Sequence, residues 1–242
     1  MRLTATSISL LAVALSVTVL FAMLGMWQLD RAAQKRATFA EFEQRGRAAQ
    51  VDLNQPGVAD SVALNGYRAV AAGHYPGATI LFDNQMHRGR AGYLVYSVFK
   101  LDGRHESVLV NRGWLKAAAD RSVVPELAAP AAGKQLEGRL NLPPHVGLRF
   151  EGGDMIEHLA ADLWRVQSID FTDLTTTVGV DLLPITVMLN SDTPDHFVRS
   201  WTSPGSDETR HLGYAFQWFA LAVTVVVVTV ALTLRSRNQG MS

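Results

Sequence analysis

The sequence predicts a membrane protein in which two transmembrane helices flank a small α+β domain built on an antiparallel sheet or barrel. Three observations predict it. Residues Leu3–Leu29 contain no Asp, Glu, Lys, Arg or His, and Leu212–Leu234 contain no formal charge. Each run matches the roughly 20 apolar residues that cross ~30 Å of hydrocarbon. Between them, short apolar runs are punctuated by Gly, Pro, Asn and Asp, as strands and turns require.

The first run is read as a transmembrane helix over residues 7–27. A cleaved signal peptide is the competing reading, disfavoured because the run exceeds the ~7–15 residue apolar region of a signal and no small-x-small site follows it. "WQLDRAAQKRATFAEFEQR" is rich in helix formers and extends the helix over residues 28–46, until Gly46. The second run, residues 212–234, has the Val-dense centre "AVTVVVVTVALTL", which in water suggests a strand; its length and the closing "RSR" favour a membrane helix. Residues 235–242 form a tail. Two spans place both termini on one side and residues 28–211 on the other. The tails carry Arg2, Arg235 and Arg237 and no acid, so the tails are assigned to the cytoplasm and the middle domain to the outer side.

Within the middle domain, "GYLVYSVFKLDGRHESVLVNRGWL" holds two apolar runs around Asp102-Gly103, a pair suited to the positive φ angles of a tight hairpin. Further strands are expected at Tyr67–Tyr75, Ala78–Asp83, Gln135–Leu142 and Ile185–Leu189. "SIDFTDLTTTVGV" reads as a short helix, capped by Asp170 or Thr172 and ended by Gly179. "AAADRSVVPELAAPAAG" reads as a surface connection.

Composition excludes several classes of function. Lys plus Arg equal Asp plus Glu, 22 each, so nothing recruits nucleic acid. Cysteine is absent, which removes thiolate catalysis, disulfides and cysteine-based metal sites. No hydrolase elbow, phosphate-binding glycine loop or zinc-protease motif is present. Asp154, His158 and Asp162 share one face if their segment is helical, but such acidic stretches are more often solvated than metal-bound. His74, His87, His105, His145 and His196 lack ligand spacing.

On a helix through "RHLGYAFQWFALA", His211, Tyr214 and Trp218 share a face. Interfacial anchoring explains the two aromatics, and a histidine reaching for water is the plain reading of His211. On the first helix Trp27, Arg31 and Lys35 fall four apart on one face. In "VLVNRGW", Asn111 and Arg112 read as polar residues at a strand exit and Gly113 as a turn position where a Cβ collides. A surface that docks a partner through Arg112 and Trp114 is the alternative.

Four strings in order, "GMWQLDRAAQK", "VLVNRGW", "LWRVQSID" and "HLGYAFQWFALA", resemble the Surfeit locus protein 1 family, assembly factors of haem-copper cytochrome c oxidase. The resemblance covers nearly the whole chain. It implies an inner-membrane protein, bacterial or mitochondrial, whose domain faces the periplasm or intermembrane space and which delivers haem a to oxidase subunit I. It implies His211 as the axial ligand of the iron, for which a neutral imidazole is suited. Tyr214 then orients the ring or donates to a haem substituent, and Trp218 packs on the porphyrin. Trp27 sits beside Arg31 and Lys35, either of which can pair with a propionate or with lipid phosphate. Family members carry an Asn shortly before this histidine; here Glu208, Thr209 and Arg210 stand there, and Arg210 offers a cation instead. The expected partners are oxidase subunit I, haem a synthase as donor, and the bilayer. A membrane-anchored chaperone that steadies apo-oxidase subunits without binding haem is the alternative, and an enzyme is disfavoured because no paired acid and base is visible.

Overall fold

The structure, a computed structural model, describes residues 5–56, 58, 61–130, 134–143, 156–201 and 205–239. In chain order the elements are α1 (Ala5–Arg47), β1 (Val51–Asp52), β2 (Arg68–His74), β3 (Thr79–His87), β4 (Arg90–Leu101), β5 (Ser107–Lys116), β6 (Gln135–Asn141), β7 (Ile156–Ala160), β8 (Leu163–Val166), α2 (Phe171–Val178), β9 (Leu182–Leu189) and α3 (Glu208–Gln239). They divide into two compact units, Met1–Glu41 with Ser203–Ser242, and Phe42–Thr202.

The first unit is a pair of helices, each long and apolar enough to cross a membrane. The Val-dense run is helical, so the backbone groups of α3 are satisfied within the segment, as lipid demands. Hydroxyls on both helices are hidden the same way: Ser16, Thr18, Thr224, Thr229 and Thr233 each donate to a carbonyl four residues back. Phe21 meets Trp218, Gln28 meets His211 and Lys35 meets Asp207, so the helices run antiparallel. The inward residues of α1 are Ala14, Thr18, Phe21, Gly25, Gln28, Ala32 and Lys35, and those of α3 are His211, Ala215, Trp218, Ala222, Val225 and Thr229. Both lines step by alternating fours and threes, the spacing that lets two helices interlock along a seam.

Small residues set the approach, as in other membrane helix pairs. A Cβ added at Gly25 would stand 2.7 Å from the ring of Phe219. Gly25→Ile is expected to loosen the seam at a cost on the order of 1–3 kcal/mol. Because the parent has no cysteine, Cys residues placed at 21 and 218 with a short bifunctional cross-linker read this directly, and severalfold less cross-linking is expected with the isoleucine present.

The second unit is a nine-stranded sheet in the order β1-β2-β6-β9-β5-β4-β3-β8-β7, with an additional β2–β4 pairing. That pairing closes β2, β6, β9, β5 and β4 into a barrel, which leaves β3, β8 and β7 as an extension. β4 manages both: Thr79–Phe82 of β3 pair with Leu94–Ser97, and farther along Gly73 and His74 of β2 pair with Leu101 and Lys100. The expected antiparallel character holds for most ladders, but β5–β9, β3–β8 and β1–β2 are parallel.

Burial explains the near-continuous apolar runs of β4 and β5. Phe99, Leu101, Val108 and Val110 belong to the barrel core with Leu136, Leu140, Leu183, Ile185 and Val187. Tyr96, Val98 and Leu109 turn to the opposite side and pack with Ile80, Phe82 and Leu174 of α2. Strands covered on both faces cannot alternate. α2 starts and stops where its caps require: Asp170 accepts from the backbone of Thr172 and Asp173, and Gly179 takes φ 72°. The β4–β5 connection is looser than a two-residue hairpin, spanning residues 102–106, with Gly103 alone of the Asp-Gly pair at positive φ. The end of α1 belongs to this unit: the Arg139 guanidinium lies 3.6 Å from the centroid of the Phe42 ring and donates to Glu43 at 3.0 Å.

The helical face proposed for Asp154, His158 and Asp162 does not form. His158 lies in strand β7, Asp162 in the turn before β8, and Asp154 lies outside the described residues. Cross-strand pairing of His158 with Trp164 replaces the helical register. Among the described residues no group of His, Asp and Glu is arranged to hold a metal.

Candidate functional site

α3 opens on Asp207 and Glu208, next to the positive end of its own dipole, and both acids meet bases on α1. Asp207 lies 3.4 Å from the Lys35 ammonium, and Glu208 is ion-paired with Arg36. One turn deeper stands His211, its side chain 21% exposed. Its Nδ1 lies 2.8 Å from Oε1 of Gln28, a residue only 8% exposed. Its Nε2 is 3.9 Å from Asp207 Oδ2, beyond hydrogen-bonding reach.

Two turns deeper Trp218 packs on Phe21, ring centroids 5.5 Å apart. Tyr214 is 45% exposed. The helix thus divides the three aromatic candidates: His211 and Trp218 lie along the seam, Tyr214 at its flank. On α1, Trp27 is 50% exposed, with the Arg31 guanidinium 5.7 Å from its ring centroid. Arg31 donates to Gln34 at 3.0 Å, and among the described residues no carboxylate pairs with it. Lys35 is engaged by Asp207, so the two basic candidates differ in availability. Arg210 is exposed.

Gln28 was not singled out by sequence reasoning. Spacing in fours and threes from Phe21 places it on the α1 line, but that it meets the histidine shows only across the seam.

Arg112 and Trp114 belong to the sheet domain, and the strand does not end at Asn111. Tyr96 pairs with Asn111 and Val95 with Gly113, which leaves Arg112 as the extra residue of a β-bulge. Gly113 takes φ 133°, and the Asn111 side chain accepts from its amide at 3.2 Å. The bulge turns Arg112 inward, where it is 1% exposed. It donates to Asp195 at 2.8 and 3.0 Å and to the Ala128 carbonyl at 2.9 Å, above the Phe197 ring. A guanidinium spent this way has no face for a partner. Trp114 donates to the Gln85 carbonyl and lines a cavity of about 270 Å³ with His87, Tyr96, Asn111 and Trp201. Burial pushes the Tyr96 phenol upward, against the hydrogen bond from Asn111, so it remains neutral in that wall.

The paired helices therefore offer the Nε2 of a partly exposed histidine, the guanidinium of Arg31 and an apolar surround. The model of the SURF1 (Surfeit locus protein 1) family matches residues 15–223. A SURF1-like protein of Rickettsia bellii is 22% identical over 224 residues, 87% of this chain and 85% of that one.

Proposed function

The chain belongs to the SURF1 family, a family of oxidase assembly factors rather than enzymes, and from that premise we propose that it binds haem a and assists its insertion into cytochrome c oxidase subunit I. The observation that carries this reading is the state of His211. One ring nitrogen is held by Gln28 and the other has no hydrogen-bond partner among the described residues, on a side chain neither buried nor fully exposed. Those are the attributes of a donor to iron that must also release it. Haem here is cargo: its iron supplies an open coordination position and its propionates two negative charges.

Each residue contributes a separate function. His211 offers the Nε2 lone pair. Arg31, which no carboxylate among the described residues engages, is the better placed of the two cations for a propionate, and its planar fork suits that group. Trp27, beneath Arg31, and Tyr214 supply exposed aromatic surface at the flank, while Trp218 keeps the helices together beside the ligand. The apolar exterior of the pair gives an isoprenoid tail a hydrocarbon environment. The protein resides in the bacterial or mitochondrial inner membrane, both termini in the cytoplasm or matrix, with the sheet domain on the opposite side. Haem a synthase is the candidate donor.

Purification from a host that makes haem a tests the assignment. The parent is expected to carry a haem absorption spectrum, and His211→Ala to fall to background. Haem retained unchanged in the variant defeats the ligand assignment. A parent that never carries haem yet restores oxidase assembly favours a chaperone of apo-oxidase subunits.

A further inference from the structure

A histidine can bind iron through Nε2 only while that nitrogen is unprotonated, and an imidazole free of other contacts tends to carry its hydrogen there. Something must move the hydrogen to Nδ1. We propose that Gln28 is the positioning residue for His211: its amide oxygen accepts the Nδ1 hydrogen and holds the neutral tautomer whose Nε2 keeps a lone pair for a metal centre. The iron part of this inference rests on the haem reading above; the tautomer part does not.

Four observations support it. The Oε1–Nδ1 distance, 2.8 Å, is that of a well-formed hydrogen bond. Gln28 is nearly buried and stands between Gly25 and Ala32 on the inward line, where small neighbours leave its longer side chain room to reach across the seam. A carboxamide acceptor leaves the ring neutral, which favours metal binding, whereas a carboxylate in the same place draws it toward imidazolium. The carboxylate that is nearby, Asp207, is 3.9 Å from the other nitrogen and is paired with Lys35. Partners of this kind behind metal-bound histidines fix the ring and its tautomer, and their loss typically costs about 10–100-fold in affinity.

Two variants of similar volume separate positioning from packing. Gln28→Leu keeps the bulk and removes the acceptor; Gln28→Glu restores an acceptor. The first readout needs no haem: nitrogen-15 spectra of histidine-labelled, haem-free full-length protein in lipid nanodiscs at neutral pH. The parent is expected to show His211 protonated at Nδ1 alone, Gln28→Leu to shift the hydrogen toward Nε2, and Gln28→Glu to protonate Nδ1 again with a larger share of imidazolium. The second readout is haem titration with the reduction potential of the bound iron. Affinity is expected to fall about 10–100-fold in Gln28→Leu. In Gln28→Glu the potential is expected to drop, because a stronger acceptor makes the imidazole a stronger donor.

Identical tautomers in parent and Gln28→Leu overturn the proposal, and so does unchanged haem affinity in Gln28→Leu. A parent that shows the expected tautomer shift on substitution yet takes up no haem overturns the haem reading instead and leaves the Gln28–His211 coupling standing.

Discussion

Arg112→Ala is expected to destabilise the sheet domain by about 3–5 kcal/mol, since it leaves the Asp195 carboxylate buried without its cation. For a domain of this size that corresponds to a fall in melting temperature of roughly 6–20 °C, measurable by circular dichroism on detergent-solubilised protein. The pair is coupled, so the loss should not add. Arg112→Met combined with Asp195→Leu removes both charges and is expected to recover the larger part of the stability, because replacing a buried pair with apolar groups is often neutral or better. The carbonyl of Ala128 remains without its donor in both variants, and the double variant also takes the acceptor from the His196 amide; these account for what is not recovered. A single variant as stable as the parent, or a double variant no better than the single, contradicts this account of the "NRGW" string.

The second large effect lies one residue on. Gly113→Ala introduces a Cβ at φ 133°, a conformation that side chains rarely adopt, and that Cβ would stand 2.8 Å from Phe197 Cβ and 2.9 Å from the Val198 carbonyl oxygen. Neither neighbour yields easily. Val198 is tied to Trp114 by two backbone hydrogen bonds, at 2.8 and 3.0 Å, and Phe197 is packed in the core beneath Arg112. Strain and overpacking together give about 2–5 kcal/mol. Because the bulge aims Arg112, the same substitution is expected to weaken the Arg112–Asp195 contact. Combining Gly113→Ala with Arg112→Ala should therefore cost less than the sum of the two.

Some of this architecture is legible in the residues taken in order. The membrane helices follow from uncharged length alone, even where valine propensity argues for a strand. α2 follows from Asp170 and Gly179, whose signals lie within ten residues of one another. The strands follow from apolar runs between turn residues. What escapes is whatever depends on a partner distant in the chain. "VLVNRGW" looks like a strand that ends at Asn111 because nothing local records that Trp114, past the bulge, bridges to Val198, 84 residues later, while Gly113–Lys116 go on pairing with β4. The parallel ladders escape for the same reason. His158 looks helical by spacing with Asp154 and Asp162 until Trp164 is seen opposite. In the candidate site the histidine and its aromatic neighbours are visible because they are consecutive turns of one helix. Gln28 is not, because its significance exists only across the seam, 183 residues from His211. Arg31 and Lys35 look equivalent by spacing and differ only because Asp207 engages one of them.

The closed barrel also has a kinetic consequence. β9 joins β5 through Leu109–Thr186 and β6 through Gly138–Leu189, so it is the staple between the two halves of the ring. Contacts so far apart in the chain close slowly. Until residue 189 has been synthesised, β5 and β6 each present an open edge, the surface on which nascent chains aggregate. The ring cannot shut until immediately before the second membrane helix emerges. A member of a family that assists the assembly of others thus completes its own sheet only late in its synthesis.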